Sequence, residues 1–429
     1  MPLCPDREAF MDRAYEVGQR GEKVRSDCWV RLEPRASGGL ELAVQSKVDA
    51  MYGDAVRATC RAVLEALGVR DAAVSVEDAG ALDFVLAARI EAAVKRAGLG
   101  GDATYLPPPG PGFGARTTRE RFRRSRLYLP GNEPRFFPNA SQHNPDAIIL
   151  DLEDSVAPPA KDAARLLVRN ALQAVDFGQC ERMVRINQGA RGLADLDAVV
   201  PHNVHVILIP KVETVEQVQA ADARAEKVRR AAGLDHPCLL MPIIESALGC
   251  FNALGIATAS PNVVALTIGL EDYTADLGAE RTPEGRESFW ARQVVVNAAR
   301  AAGVTPIDTV FSDFADMEGL RQACLEAKAL GFEGKGCIHP RQVSVVHEAF
   351  APSPEEVEKA KRIVLAFEDA ERRGLGVVAL GSKMVDPPVV KRALRTVQMA
   401  EALALLPAAW RSQAEASATK GRESREGGG

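Results

Sequence analysis

Hydrophobic and polar positions change rhythm along the chain. In the first hundred residues, WVRLEP (Trp29–Pro34) and LELAV (Leu40–Val44) flank Gly38-Gly39, which predicts a hairpin. The spacing over Asp54–Leu67 predicts a helix stopped by Gly68, AAVSVED reads as a third strand, and Ala-rich Asp83–Ala97 as a second helix. Later the pattern becomes strict alternation. Short apolar runs recur at SRLYLPG (125–131), AIILDLED (147–154), RMVRIN (182–187), VHVILIPKVE (204–213), CLLMPIIES (238–246), VVALTIGLED (263–272), TPIDTVFSD (305–313) and GKGCIHP (334–340). Helical stretches such as Lys161–Val175, Glu216–Ala232 and Gly285–Ala302 lie between most of them. Strand–helix alternation with this count predicts an α/β fold, a (β/α)8 TIM barrel with a small α+β N-terminal domain and a C-terminal helical extension. A doubly wound open sheet is the main competitor, but no G-x-G-x-x-G follows the first run.

The breaks in the pattern set the expected boundaries. Residues 1–98 form the small domain, and 99–124 a Gly/Pro-rich and basic linker. Residues 125–350 form the barrel, 351–411 the helical extension, and 412–429, without an apolar residue larger than Ala, a disordered tail. A flexible linker of about twenty residues would let the small domain range over tens of ångströms. Its end, RTTRERFRRSR, carries six arginines in eleven residues and reads either as a solvated arm or as a CoA or phosphate-binding collar.

Composition narrows the function. A formal charge of -5 argues against a nucleic-acid or anionic-membrane partner and for a small-molecule role. The eight cysteines are scattered singly, Cys4 among them, and read as core residues of a reducing cytosol. MPLCPDREAF lacks an apolar leader, and no window reaches about 18 apolar residues, so a cytoplasmic, non-membrane protein is expected.

The informative polar residues follow the apolar runs. Asp151, Glu153 and Asp154 end the second; Arg185 and Asn187 the third; Lys211 and Glu213 the fourth. Glu245, Glu271 with Asp272, Asp308 with Asp313, and His339 end the remaining four. In a (β/α)8 barrel these ends share one rim, where so many carboxylates require a cation. An acid-rich set without a Cys cluster suits Mg²⁺, with Mn²⁺ possible, better than Zn²⁺. Glu245 and Asp272 are the expected ligands, with Glu153 and Asp154 holding metal-bound water. The alternative is that Asp272 and Glu153 or Asp154 cap the following helices. Arg185 is expected to bind a substrate carboxylate or an oxyanion, its alternative being a salt bridge to Glu153 or Glu213. His339 is left outside the catalytic set.

LYLPGNEPRFF, IILDLEDSV, VRIN, PKVE, IIES, GLEDYTADLG, GKGCIHPRQV and KMVDPPVV, in this order, resemble the citrate lyase β-subunit family and its malyl-, citramalyl- and citryl-CoA lyase relatives, the HpcH/HpaI aldolase superfamily. The resemblance spans Ser125 to about Ala400. It implies a (β/α)8 barrel, usually a homotrimer or higher homo-oligomer, that cleaves or forms a carbon–carbon bond in a 3-hydroxyacyl thioester with Mg²⁺. Glu245 and Asp272 fall on the family's metal ligands and Arg185 on its substrate-binding arginine, with Arg135 of the first motif joining it. Asp386, in MVDPP, falls on the catalytic acid supplied by a neighbouring subunit.

GEKVRSDCWVRLEP and the two helical stretches after it resemble the citrate lyase acyl carrier protein, the γ subunit. That carrier bears a phosphoribosyl-dephospho-CoA arm on the first serine of Ser-Ser-Asp, whereas this chain has Arg25-Ser26-Asp27. Either Ser26 has taken over the attachment or the arm is lost; loss is favoured, because transferase recognition is position-sensitive. The expected activity is therefore cleavage of a free CoA thioester of the citryl, citramalyl or malyl type to a 2-oxo acid and an acyl-CoA. The alternatives are a citryl-carrier-protein lyase component, an acyl-CoA thioesterase and a non-catalytic acyl-CoA scaffold.

Overall fold

The computed structural model of the protein describes residues 13–372, 378–380, 383–407 and 409–412, so Cys4, the MPLCPDREAF start and residues 413–429 of the expected tail lie outside it. The chain falls into two compact units, one ending at Val346 and the other beginning at His347.

In the first unit β5 (Ser125–Pro130), β6 (Ala147–Asp151), β7 (Glu181–Arg185), β8 (Val206–Ile209), β9 (Leu239–Ile244), β10 (Ala265–Ile268), β11 (Thr305–Val310) and β12 (Lys335–Cys337) close into a parallel barrel, β12 pairing back onto β5. This is the barrel that the alternation predicts. Alternate residues point inward, and Ala147, Ile149, Met183, Val206, Leu208, Met241, Ile243, Ala265 and Ile307 fill the interior with Tyr128 against them. Their neighbours Ile148, Leu150 and Val184 are equally buried on the outward side, as expected where helices cover a parallel sheet. Each such large aliphatic side chain contributes roughly 1.5–3 kcal/mol on burial. The strands are shorter than the apolar runs, because the run ends form the loops of the rim. Behind β10 the chain turns at once into the helix Leu270–Leu277, so Asp272 stands in a first helical turn rather than on a strand.

Before the barrel, β1 (Tyr15–Gly18), β2 (Cys28–Pro34), β3 (Leu40–Ser46) and β4 (Ala72–Asp78) form a sheet of order β1-β2-β4-β3. The hairpin expected around Gly38-Gly39 is absent: β4 lies between β2 and β3, antiparallel to the first and parallel to the second. Asp71, just before β4, fixes this insertion, its carbonyl accepting from Arg35 N and its side chain from Gly39 N at 2.9 Å. The helix Asp49–Ala66 is the crossover between the parallel pair.

This small domain is not a free tether-mate of the barrel. Its helix Asp83–Arg96 is buried without interruption from Phe84 to Val94, and its core cluster takes in Ala163 and Leu166 of the barrel helix Lys161–Ala174. Glu91, fully buried, receives Arg169 through both oxygens at 2.7 and 3.0 Å, and Asn170 donates to the Phe84 carbonyl. The linker is tied down as well: Gly110 N donates to Gln173 O, and Arg169 and Arg182 donate to the carbonyls of Tyr105 and Ala115. The expectation of a freely ranging domain therefore fails, because buried charges and a shared apolar core fix the junction.

The arginine collar wraps the N-terminal ends of the strands. Arg123 and Glu181 form a fully buried bidentate pair at 2.7 and 2.8 Å, Arg124 holds Asp146, and Arg119 donates to the Val263 carbonyl. Its first arginines, Arg116 and Arg119, are exposed, Arg123 and Arg124 are built into the base of the barrel, and Arg126 turns into the barrel interior. The described cysteines are all buried, and burial pushes the thiols of Cys60, Cys238, Cys250 and Cys337 up to about 12. No described helix is long and apolar enough to cross a membrane.

In the second unit the helices Pro354–Arg372 and Pro387–Ala402 pack through Val357, Ile363, Val364, Val390, Val397 and Trp410. A short hairpin, β13 (Val378–Leu380) and β14 (Lys383–Val385), leads into Asp386. Asp386 is the N-cap of the helix Pro387–Ala402, its side chain accepting from Val389 N at 3.3 Å with Pro387 in the first turn.

Candidate functional site

The inward register Leu239, Met241, Ile243 of β9 continues to Glu245, which explains a carboxylate after an apolar run: it is the next inward position, at the barrel mouth. It is only 6% exposed. Its Oε2 accepts from Lys211 N at 2.7 Å, a contact made possible by the left-handed turn at Lys211 (φ 50°). Oε1 accepts from no described residue and lies beside Gly269, where a Cβ would come within 2.4 Å of it. Burial, with Asp272 and Glu153 adding to it, pushes the Glu245 carboxyl up to about 8. A cation beside Glu245 would reverse that shift.

Two side chains carry most of the positive charge on the rim. Lys211 Nζ lies 3.2 Å from Glu153, 3.4 Å from Asp154 and 3.3 Å from Asp272. Burial lowers its pKa, but Glu153, Asp154 and Asp272 outweigh that and hold the ammonium above the usual lysine value. Arg185 forms a fork with Asp151 at 2.6 and 2.7 Å, reaches Glu153 at 3.1 Å and lies over the Tyr128 ring. Burial opposes its charge, yet Asp151 raises its pKa well above the ordinary range. Burial also raises the Glu153 carboxyl, which accepts from Asp154 N and Gln188.

Glu245, Asp272, Arg185, Asp151, Asp154 and Tyr128 line one cavity of about 340 Å³. The expected metal ligands and substrate arginine thus meet in it, with Glu153 directly behind. Neither capping alternative holds, since the N-caps of the helices Leu270–Leu277 and Lys161–Ala174 are Gly269 and Ala160. Two other run-end acids that line this cavity already have cationic partners: Glu271 pairs with Arg281, and Asp308 is buried in the wall between Lys335 at 2.5 Å and Arg292 at 3.2 Å. Arg135 is outside this cavity. It is half exposed, pairs with Glu133 at 3.1 Å, and lines an adjoining cavity of about 480 Å³ with Phe136, His143 and His339. The His339 ring stacks on Phe314.

Ser26 has a left-handed backbone (φ 56°) and donates its N–H to the Ala79 carbonyl. Asp27 beside it is buried against Arg89 at 2.9 Å, and Arg89 also donates to the carbonyl of Asn132, in the loop after β5 at the barrel mouth. Sequence reasoning missed the roles of Asp151 and Lys211. Both were visible as polar residues after apolar runs; what was not visible is that the segments after β6 and β10 bring three acids to one ammonium.

The donor chemistry fits a hard divalent ion. No described cluster of three or more acidic, Cys or His side chains forms a complete protein cage. Mg²⁺ needs none, since it takes one or two carboxylates and fills its octahedron with water and substrate oxygens. Glu245 and Asp272, on one cavity, could provide that pair.

Residues 124–340 match the HpcH/HpaI aldolase/citrate lyase family, and residues 18–97 an acyl-carrier-type family described as malonate decarboxylase delta subunit (MdcD). Citrate lyase subunit beta of Leuconostoc mesenteroides subsp. cremoris is 41% identical over 293 residues, 66% of this chain and 95% of the relative. Human mitochondrial citramalyl-CoA lyase is 34% identical over 293 residues, covering 66% of this chain and 86% of the relative. (3S)-malyl-CoA thioesterase of Cereibacter sphaeroides is 38% identical over 283 residues, 66% and 95% of the two chains. Among solved structures, CitE of Mycobacterium tuberculosis in complex with magnesium, acetoacetate and coenzyme A aligns with a TM-score of 0.55 and 32% identity, covering 66% of this chain and 99% of that one.

Proposed function

The chain belongs to the HpcH/HpaI aldolase/citrate lyase family, and from that premise we propose that it is a Mg²⁺-dependent lyase cleaving a 3-hydroxyacyl-CoA thioester of the citryl, citramalyl or malyl type to a 2-oxo acid and an acyl-CoA. The observation that carries this reading is Glu245: a buried carboxylate, destabilised as an anion, facing one cavity with Asp272 and Arg185. Glu245 and Asp272 would hold the ion, and Glu153 and Asp154 would orient its water. Bound Mg²⁺ supplies Lewis acidity toward the substrate's hydroxyl and carboxylate oxygens. Arg185, aimed by Asp151, donates to the 2-oxo acid carboxylate and stabilises charge as the carbon–carbon bond breaks. Asp386, supplied by a second copy of the chain, would deliver a proton to the thioester enolate carbon, which makes the active form a homo-oligomer. The adjoining cavity with Arg135, His143 and His339 would take part of the CoA, in keeping with the coenzyme A complex of the M. tuberculosis relative.

A thioesterase is the second reading, favoured by the similarity to the malyl-CoA thioesterase, since the same ion could present water to the carbonyl. The test is to incubate malyl-, citramalyl- and citryl-CoA with the protein and Mg²⁺ and to measure 2-oxo acid and free thiol. A lyase releases 2-oxo acid without thiol, whereas net hydrolysis releases thiol. No turnover of any of the three with Mg²⁺ present would sink the lyase reading.

A further inference from the structure

The inward register of β5 puts a second arginine inside the barrel, below the rim. Arg126 is 1% exposed and lines the floor of the cavity that holds Glu245 and Arg185. Its partners are neutral: the Met241 thioether at 3.1 Å, the Thr267 hydroxyl at 3.2 Å and the Asp308 main-chain carbonyl at 3.3 Å. Its Nε is the one buried side-chain polar atom among the described residues that has no hydrogen-bond partner. The acid nearest to hand, Asp308, already gives both carboxylate oxygens to Arg292 and Lys335. A guanidinium buried without a counter-charge costs several kcal/mol, and a thioether is a weak acceptor that an anion would displace.

The depth of this charge is informative. Thr267, which Arg126 holds, pairs with Ile243, whereas Glu245 stands two residues further along the chain, just past the end of β9. Two residues of strand amount to about 6.6 Å, so Arg126 serves a layer of the barrel below the one at which Glu245 stands. We infer that Arg126 is the subsite for a second carboxylate on the 2-oxo acid portion of the substrate, so that the chain selects thioesters yielding a dicarboxylic 2-oxo acid. Arg185 and the ion at Glu245 would take the carboxylate next to the reacting carbonyl, and Arg126 the distal one. This assignment rests on the lyase reading above.

The test compares citryl-CoA with citramalyl-CoA, whose 2-oxo acids, oxaloacetate and pyruvate, differ by that carboxylate. The full-length protein should favour citryl-CoA in kcat/KM by roughly 100-fold, and Arg126→Met should remove at least about tenfold more activity toward citryl-CoA than toward citramalyl-CoA. Arg126→Lys, which keeps the charge, should restore part of the preference. Equal losses on the two thioesters, or a wild-type preference for citramalyl-CoA, would overturn it. Calorimetry with Mg²⁺ and oxaloacetate or pyruvate separates this inference from the lyase reading, because it requires no turnover. If no thioester is cleaved, tighter oxaloacetate binding that disappears in Arg126→Met still supports the subsite, and equal binding of the two acids rejects it.

Discussion

The two ends of the barrel handle charge in opposite ways. At the base, donors and acceptors are matched: Arg123 fits Glu181 in a fully buried fork, Arg124 fits Asp146, and neutral His205 accepts from Arg182 N while its Nε2 faces the Ala115 carbonyl. At the mouth the pairing is uneven. One ammonium, Lys211, serves three carboxylates, while Glu245 and the deeper Arg126 have no ionic partner among the described residues. Matched charges fix a structure; mismatched ones keep a place for something that binds.

Substitutions can break this division, and the largest effect belongs at the mouth. Glu245→Ala should lower Mg²⁺-dependent turnover by roughly 10³-fold without lowering the melting temperature, because it removes a destabilised buried carboxyl. A turnover within a few fold of wild type would remove Glu245 from the site. At the base, Arg123→Met leaves the buried Glu181 unpaired and should cost about 3–5 kcal/mol in denaturant unfolding, with KM unchanged in the protein that remains folded.

A smaller effect would sharpen the comparison. Lys211→Met should strengthen Mg²⁺ binding by about tenfold in calorimetry, since a like charge leaves the carboxylates that the ion needs. Weaker binding would mean that Lys211 organises the acids rather than competing for them. The smallest effect is a pH slope. Burial, reinforced by Arg182, holds His205 down to about 3, far below its value in the unfolded chain. The unfolded chain therefore binds the extra proton first. His205 contributes stability above about pH 6.5 that is lost as the pH falls toward 3, and His205→Gln should flatten that part of a pH–stability curve.

Much of this was legible in the sequence. The strand count came from the alternation of apolar runs with helices, and Glu245 was found because it is a carboxylate where an apolar run ends. What stayed hidden depends on long-range partners. The insertion of β4 between β2 and β3 is set by pairing across more than thirty residues, which no local turn signal reveals. Arg126 looked like the last member of a basic run, and only the closed barrel separates it from Arg123 and Arg124 by turning it inward. The docked small domain was misjudged for a similar reason: a Gly- and Pro-rich segment reads as loose until the surface it lies on is known.

The helix Asp83–Arg96 carries one further consequence. With no side left for water, it could not be lifted off the barrel without exposing Phe84 and Val85 and stranding Arg169 beside a vacated Glu91. The module is built into the wall that it leans on, so a gene split at the linker should yield two insoluble halves rather than two exchangeable parts.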